Sequence, residues 1–271
     1  MNARVMPVGT LTGDQVRTAL IAATATPSLH KLRLWRFRCT PAAIELYADP
    51  ARSTPAADRD QRELMLACGA ALLNLRLAIR VLGVHPAVQL VPDPHRPDLL
   101  AIVRPQGHST VTPLDRALAE AIPHCHTHRE PLSPEAVPLP LLNGLRQAAK
   151  SERAWLATLS PAQLPVLRTL IGEAPDESHP LIAVIGSFHD LPLARLQAGQ
   201  AMQRVLLVGT TAGLSASFLS RVVEVPGTRR HLRELIGGGL WPQTVLRLGY
   251  RSSSPATPRR DIQDVDQNAA G

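Results

Sequence analysis

Apolar residues follow two spacings along this chain, and the alternation between them predicts most of the elements. Val16, Leu20 and Ile21 recur at helical spacing behind Thr12-x-x-Gln15, a capping box that opens a helix, and Thr26-Pro27 stops it. Two short apolar stretches follow, Leu34 to Cys39 and Ala43 to Tyr47, split by Thr40-Pro41, which reads as a hairpin. After a loop rich in Pro and Asp, Glu63 to Val81 forms a strongly apolar helix that ends at Gly83. Strands over Ala87 to Val91 and Asp98 to Arg104 complete a first α+β unit.

The second half repeats the theme. A short helix begins near Thr112, and helices over Leu139 to Lys150 and Ala162 to Gly172 alternate with strands over Ala154 to Leu159 and Leu181 to Ile185. The helix from Leu193 to Gly213, with Pro192 at its start, is expected to be the longest in the chain. A Val/Glu/Pro loop, a helix from Arg229 to Ile236, a triple glycine and a strand from Thr244 to Gly249 follow. Beyond Ser252 the chain is polar and expected to run over the surface.

Laid over each other, the two long helices align without gaps. Cys68-Gly-Ala-Ala-Leu-Leu-Asn, closing at Leu82-Gly83, matches Ala198-Gly-Gln-Ala-Met-Gln-Arg, closing at Ala212-Gly213. Each is followed by a Pro-led strand, Pro97 to Arg104 and Pro242 to Gly249. Small residues at matched places let two helices pack closely, the arrangement of a pseudo-twofold core.

Composition narrows the class. A chain of 271 residues builds one large domain or two small fused ones without staples. Hydrophobic residues at 45% and charged residues at 19% exclude wholesale disorder. No uninterrupted apolar run reaches the length of a membrane span, and no basic patch with an apolar segment opens the chain, so a soluble, unexported, cytoplasmic protein is expected. Cys39, Cys68 and Cys125 are odd in number and share no CxxC spacing, which fits a reducing compartment.

The net charge of +7 invites an anionic partner. Lys31 and Lys150 are the only lysines, so the positive charge is almost all arginine, suited to bidentate phosphate or carboxylate contacts or simply the mark of a GC-rich genome. Aromatics at 3% remove the stacking platforms of single-strand nucleic-acid binders. There is no GxGxxG, Walker A or Gly-x-Ser-x-Gly sequence.

Three places carry candidate chemistry. In Pro27-Ser-Leu-His-Lys-Leu-Arg-Leu-Trp-Arg-Phe37, Trp35 and Phe37 alternate with Arg36 as core-facing strand residues, whereas Ser28, His30, Lys31 and Arg33 have no packing role and suit a planar polar ligand. His124-x-His126-x-His128 would set three imidazoles on one side of an extended segment, but a zinc site needs further ligands at helpful spacing, and no metal is expected. Arg259-Arg260, behind a Ser/Thr/Pro turn, suit a phosphate clamp or a solvated basic tail.

These segments, in this order, resemble the Acg family of nitroreductase-like flavoproteins known from actinobacteria. The resemblance rests on Ala22 to His30 with Trp35-Arg-Phe37, Cys68 to Arg76, Ala198 to Leu207, Gly213 to Phe218, Pro242-Gln, Leu246 to Tyr250 and Thr257 to Arg260. It implies an α+β nitroreductase-like fold, with two repeated α+β halves, 1–110 and 111–271, fused in one chain as a pseudo-dimer and expected to act as a monomer. It also implies one composite FMN site, with Ser28, His30, Lys31 and Arg33 facing Thr127, Arg129, Gly213, Arg259 and Arg260. NAD(P)H would be the electron donor and a small electrophile the substrate; the flavin carries the hydride, so no protein acid or base is assigned a catalytic role. The family pattern Ser-x-His-Asn-x-Gln-Pro-Trp is altered here, with Lys31, Arg33 and Leu34 in place of Asn, Gln and Pro. Cys125 and His126 stand where the family carries arginines, and the chain is short between Leu170 and His179. A flavin-binding protein without turnover and a basic nucleic-acid-associated protein are the alternatives.

Overall fold

The computed structural model describes residues 5–26, 34–52, 58, 60–127, 132, 133, 135–172 and 181–251. Helix α1 (Gly13–Thr24) starts at the capping box: Gln15 donates its backbone N–H to Thr12 Oγ1 at 3.3 Å, and Thr12 N–H returns to Gln15 Oε1 at 2.9 Å. The hairpin β1 (Trp35–Cys39) and β2 (Ile44–Ala48) pairs Trp35 with Ala48, with Trp35 buried, Phe37 half-buried and Arg36 exposed. Helix α2 (Arg62–Val81) is capped from outside its first turn. Both carboxylate oxygens of Asp58 accept from the first free amides, Glu63 N at 3.0 Å and Leu64 N at 2.9 Å. Strands β3 (Val84–Leu90) and β4 (Leu99–His108) close an antiparallel sheet of order β1-β2-β4-β3.

The second set is α3 (Pro113–Ala121), α4 (Leu139–Ser151), β5 (Trp155–Thr158), α5 (Leu164–Ile171), β6 (Leu181–Ser187), α6 (Pro192–Thr211), β7 (Ser215–Phe218), α7 (Arg221–Glu224), α8 (Pro226–Leu235) and β8 (Trp241–Gly249). Its sheet has the order β5-β6-β8-β7, strand for strand the order of the first. A shift of 130 residues carries Arg62–Val81 onto Pro192–Thr211, and Gly83 onto Gly213, both at positive φ (79° and 76°). The repeat read from the sequence is thus a repeat of structure.

The core follows from two apolar helices side by side. Along α2, Leu66, Ala70, Leu73 and Leu77 face one hydrophobic cluster, shared with Ala198, Ala201, Met202 and Val205 of α6. Leu64, Cys68, Leu72 and Leu75 face the other, which contains the first sheet. A helix buried on both sides shows no single apolar stripe. By length and composition α2 would also cross a membrane, but 83% of its apolar window is buried inside the fold, as in a core helix.

Three expectations need correction. The helix of the second half is not the longest, since α2 and α6 both have 20 residues. The segment after Gly213 holds a strand, β7, and the short α7 rather than loop alone. Ser215-Ala-Ser-Phe218 alternates polar and apolar, but over only four residues and mostly with small side chains, and pairing with β8 supplies its extended form. His124 closes a 3-10 turn over Ile122–His124, so the histidine run is not one extended segment; His128 lies outside the described residues.

Candidate functional site

The site is built where α1 ends. Helix α1 has no basic side chain in its last turn, so its terminal carbonyls need donors from elsewhere. Asn74 supplies them from α2: Nδ2 donates to Ala22 O at 3.2 Å and Ala25 O at 3.4 Å. Its own Oδ1 accepts from Gln203 Nε2 of α6 at 3.0 Å. Asn74 and Gln203 are wholly buried. One amide from each long helix is therefore joined in a relay ending at the turn that leads into residues 27–33.

Two atoms of this relay's neighbourhood stand open. Among the described residues, Gln203 Oε1 and the buried Thr26 Oγ1 have no hydrogen-bond partner. Leaving such an atom dry and unpaired costs about 1–3 kcal/mol, so a buried acceptor and hydroxyl at this place are suited to a polar group brought to them.

The second half contributes to the same hydrophobic cluster as the end of α1. Gly213 ends α6 at φ +76°, with open space where a side chain would start, and turns the chain into β7. Thr127 bridges to Ala216 of β7 in parallel register. Leu132 bridges to Arg251, and Ser133 N–H donates to Tyr250 O at 2.8 Å, so the last described residues of the C-terminal strand lie beside residues 132 and 133. Ala22, Ala25, Phe218 and Tyr250 all pack on the same hydrophobic cluster.

Of the residues expected to hold a cofactor, Thr127 and Gly213 are described, and the structure brings both to the start of β7. Ser28, His30, Lys31, Arg33, Arg129, Arg259 and Arg260 lie outside the described residues. The sequence reads Thr26 only as part of the helix stop Thr26-Pro27, and it gives no functional role to Asn74 or Gln203. The available signal was an amide inside each of two otherwise apolar helices. Among the described residues no group of three His, Cys, Asp or Glu side chains is placed to hold a metal ion.

A second polar cluster lies at the N-terminal ends of the long helices. Asp190 accepts from both Nη atoms of Arg229, at 2.8 and 2.7 Å, from Arg195 Nε at 3.2 Å and from Gln243 Nε2 at 3.0 Å. Burial by itself would raise its pKa, but hydrogen bonds from Arg229, Arg195 and Gln243 outweigh it and hold the carboxyl below the usual range. Arg195 also donates to Asp60 O at 2.5 Å, and Arg62 Nη1 to Gln243 O at 2.5 Å. This network ties the loop before α2 to the second sheet and spends the Asp190 carboxylate on structure.

Comparison with solved structures settles the architecture. A crystal structure described as a putative nitroreductase from Anabaena variabilis superposes with a TM-score of 0.58, covering 78% of this chain and 69% of that one at 12% identity. The chain has the nitroreductase fold. A nitroreductase with bound FMN from Bacteroides fragilis covers 55% of this chain and 96% of its own, with a TM-score of 0.45 and 14% identity. In sequence, the nitroreductase-fold chain is 28% identical to a Mycobacterium tuberculosis protein named "putative NAD(P)H nitroreductase", over 93% of this chain and 91% of that one. It is 26% identical to another of that name, Acg, over 96% and 97%. That second alignment spans 322 positions, more than the 271 residues of this chain, so the relative carries segments that are missing here. No family profile matches the sequence.

Proposed function

We propose that this chain is an FMN-dependent oxidoreductase of the NAD(P)H nitroreductase type, passing hydride from NAD(P)H to a small electrophile. The observation that carries the reading is the Gln203–Asn74 relay, with its open acceptor and the neighbouring Thr26 hydroxyl, set where the segment of Ser28, His30, Lys31 and Arg33 begins. The donor set fits the group: buried amide and hydroxyl atoms suit the polar edge of a planar heterocycle, and arginines suit its phosphate.

Ser28, His30, Lys31 and Arg33 would hold the ring side, and Thr127, Arg129, Gly213, Arg259 and Arg260 the ribityl phosphate side. FMN, when bound, supplies the hydride chemistry. Lys31 and Arg33 provide positive charge, which favours an anionic reduced ring, and the glycine at position 213 leaves the approach to β7 open. The halves 1–110 and 111–271 act in this reading as two subunits of one cytoplasmic monomer, with a small molecule rather than nucleic acid as partner.

Purified protein should be yellow, or become so on adding FMN, and its absorption near 450 nm (about the usual flavin maximum) should bleach under NADH or NADPH without oxygen. Protein that takes up FMN but is reduced by neither nucleotide is a flavin binder without turnover. Protein that takes up no FMN overturns the proposal.

A further inference from the structure

The shift of 130 residues that superposes the long helices also relates two places that have become chemically different. It carries Asn74 onto Arg204, and each side chain secures the end of the helix that precedes its own half's sheet. Asn74 caps the carbonyls at the end of α1, as above. Arg204 donates from Nε to Glu152 Oε1 at 2.8 Å and forms an ion pair with the same oxygen through Nη2 at 2.7 Å, and Glu152 is the C-cap of α4. From α2, Arg76 Nη1 reaches across to Glu152 Oε2 and to Gln200 Oε1, both at 2.6 Å. The shift places Leu206 opposite Arg76 and Thr210 opposite Arg80, so these two helix-borne charges have no counterpart at the other twin.

The connecting segments differ as well. On the α1 side, residues 25–34 separate helix from strand and carry the candidate ligand-binding groups. On the α4 side only Glu152, Arg153 and Ala154 intervene, with Arg153 forced to φ 60°. Arg76, Arg80, Arg204 and His85 line a cavity of about 220 Å³ at this point. Glu152 is nearly buried, at 5% side-chain exposure, and two guanidinium groups converge on its carboxylate. Two arginines on one small anion is the coordination a phosphate group takes.

We propose that Arg76 and Arg204 form an oxyanion site, the twin of the candidate site, and that the Glu152 carboxylate is its built-in occupant. Glu152 therefore decides which of the two related places accepts a phosphate-bearing ligand; only this last clause rests on the function proposed above. Arg80, on the same cavity, is paired with Asp115 at 3.4 Å.

The test compares wild type with Glu152→Ala and the isosteric Glu152→Gln, using inorganic phosphate as probe against chloride of equal ionic strength. Phosphate should raise the Tm of either variant more than that of wild type, and calorimetry should show in the variants a further phosphate site that wild type lacks, with a Kd at least about tenfold below any wild-type binding there. Adding Arg204→Leu to either variant should abolish the gain. Equal phosphate responses in wild type and variants overturn the proposal, and Glu152→Gln keeps the comparison available if Glu152→Ala does not fold. Wild-type protein that binds two FMN per chain also overturns it. Wild-type protein that binds none defeats the flavin reading, while the phosphate comparison still tests the oxyanion site.

Discussion

Gly69 and Gly199 meet where α2 crosses α6, and each is the other's counterpart under the internal repeat. A methyl group on Gly69 would overlap the carbonyl oxygen of Leu196, and one on Gly199 would overlap that of Leu66. The two obstructing leucines are themselves related by the same shift. The two halves therefore touch backbone to backbone at this crossing, which requires glycine at both positions.

Gly199→Ala should destabilise the protein by about 3 kcal/mol or more, because the obstruction is main chain and does not rotate away. Gly144→Ala, in the exposed part of α4 with nothing within 4 Å, should stabilise by up to about 1 kcal/mol. Urea unfolding of the two variants reads both signs. The double variant of Gly69 and Gly199 should cost less than the two single changes added together, since each already opens the same crossing.

Asp190→Asn should cost about 2 kcal/mol or more, since Arg229 and Arg195 lose a charged acceptor in a half-buried network. The sign of the pH dependence follows from the lowered pKa of Asp190. Its contribution is fully present above the unfolded value of about 4 and is lost as pH falls toward the folded one. Thermal melts at pH 6 and pH 3 (roughly either side of that value) should show the gap between wild type and variant narrowing in acid.

Glu63 behaves in the opposite sense. Burial pushes its pKa up to about 7, Arg62 opposes the rise, and Glu224 and Asp58 reinforce it. The folded state thus keeps a proton that the unfolded chain loses, and this group's contribution declines as pH rises from about 4.5 to about 7. Glu63→Gln, which retains a donor toward Glu224, should remove that decline. Denaturant midpoints for wild type and variant should diverge with rising pH across this window; a constant difference would count against the assignment.

Reversing the charge of Arg259 and Arg260 together should weaken FMN binding by about 2–4 kcal/mol, the worth of one or two charge-assisted hydrogen bonds. Flavin fluorescence quenching measures it directly. Unchanged affinity would remove these two arginines from the phosphate side.

Local devices were the most legible part of the chain. Thr12 and Gln15 bond each other within a single turn, so the start of α1 is written in four residues. The hairpin of β1 and β2 and the ends of α2 are similarly local. Strand β7 was not legible, because Ser215, Ala216 and Ser217 acquire their extended form only from the pairing of β7 with β8. Within the candidate site, Thr127 and Gly213 were singled out from the sequence, and the described structure gathers them at β7. Asn74 and Gln203 were passed over, since a buried amide declares its purpose only when its partner on another helix is known.

The sequence by itself determined the two sets of helices and strands, the gapless match of the long helices and the excess of arginine, because periodicity, capping and composition are properties of neighbouring residues. Tertiary structure alone decided how the two halves came to differ. Arg76, Glu152 and Arg204 are far apart in the chain and converge through packing, while Asn74 and Gln203 meet at the other twin without a charge between them. Charge pairing and desolvation act through space, and so the contrast between the two related places exists only once the helices have crossed.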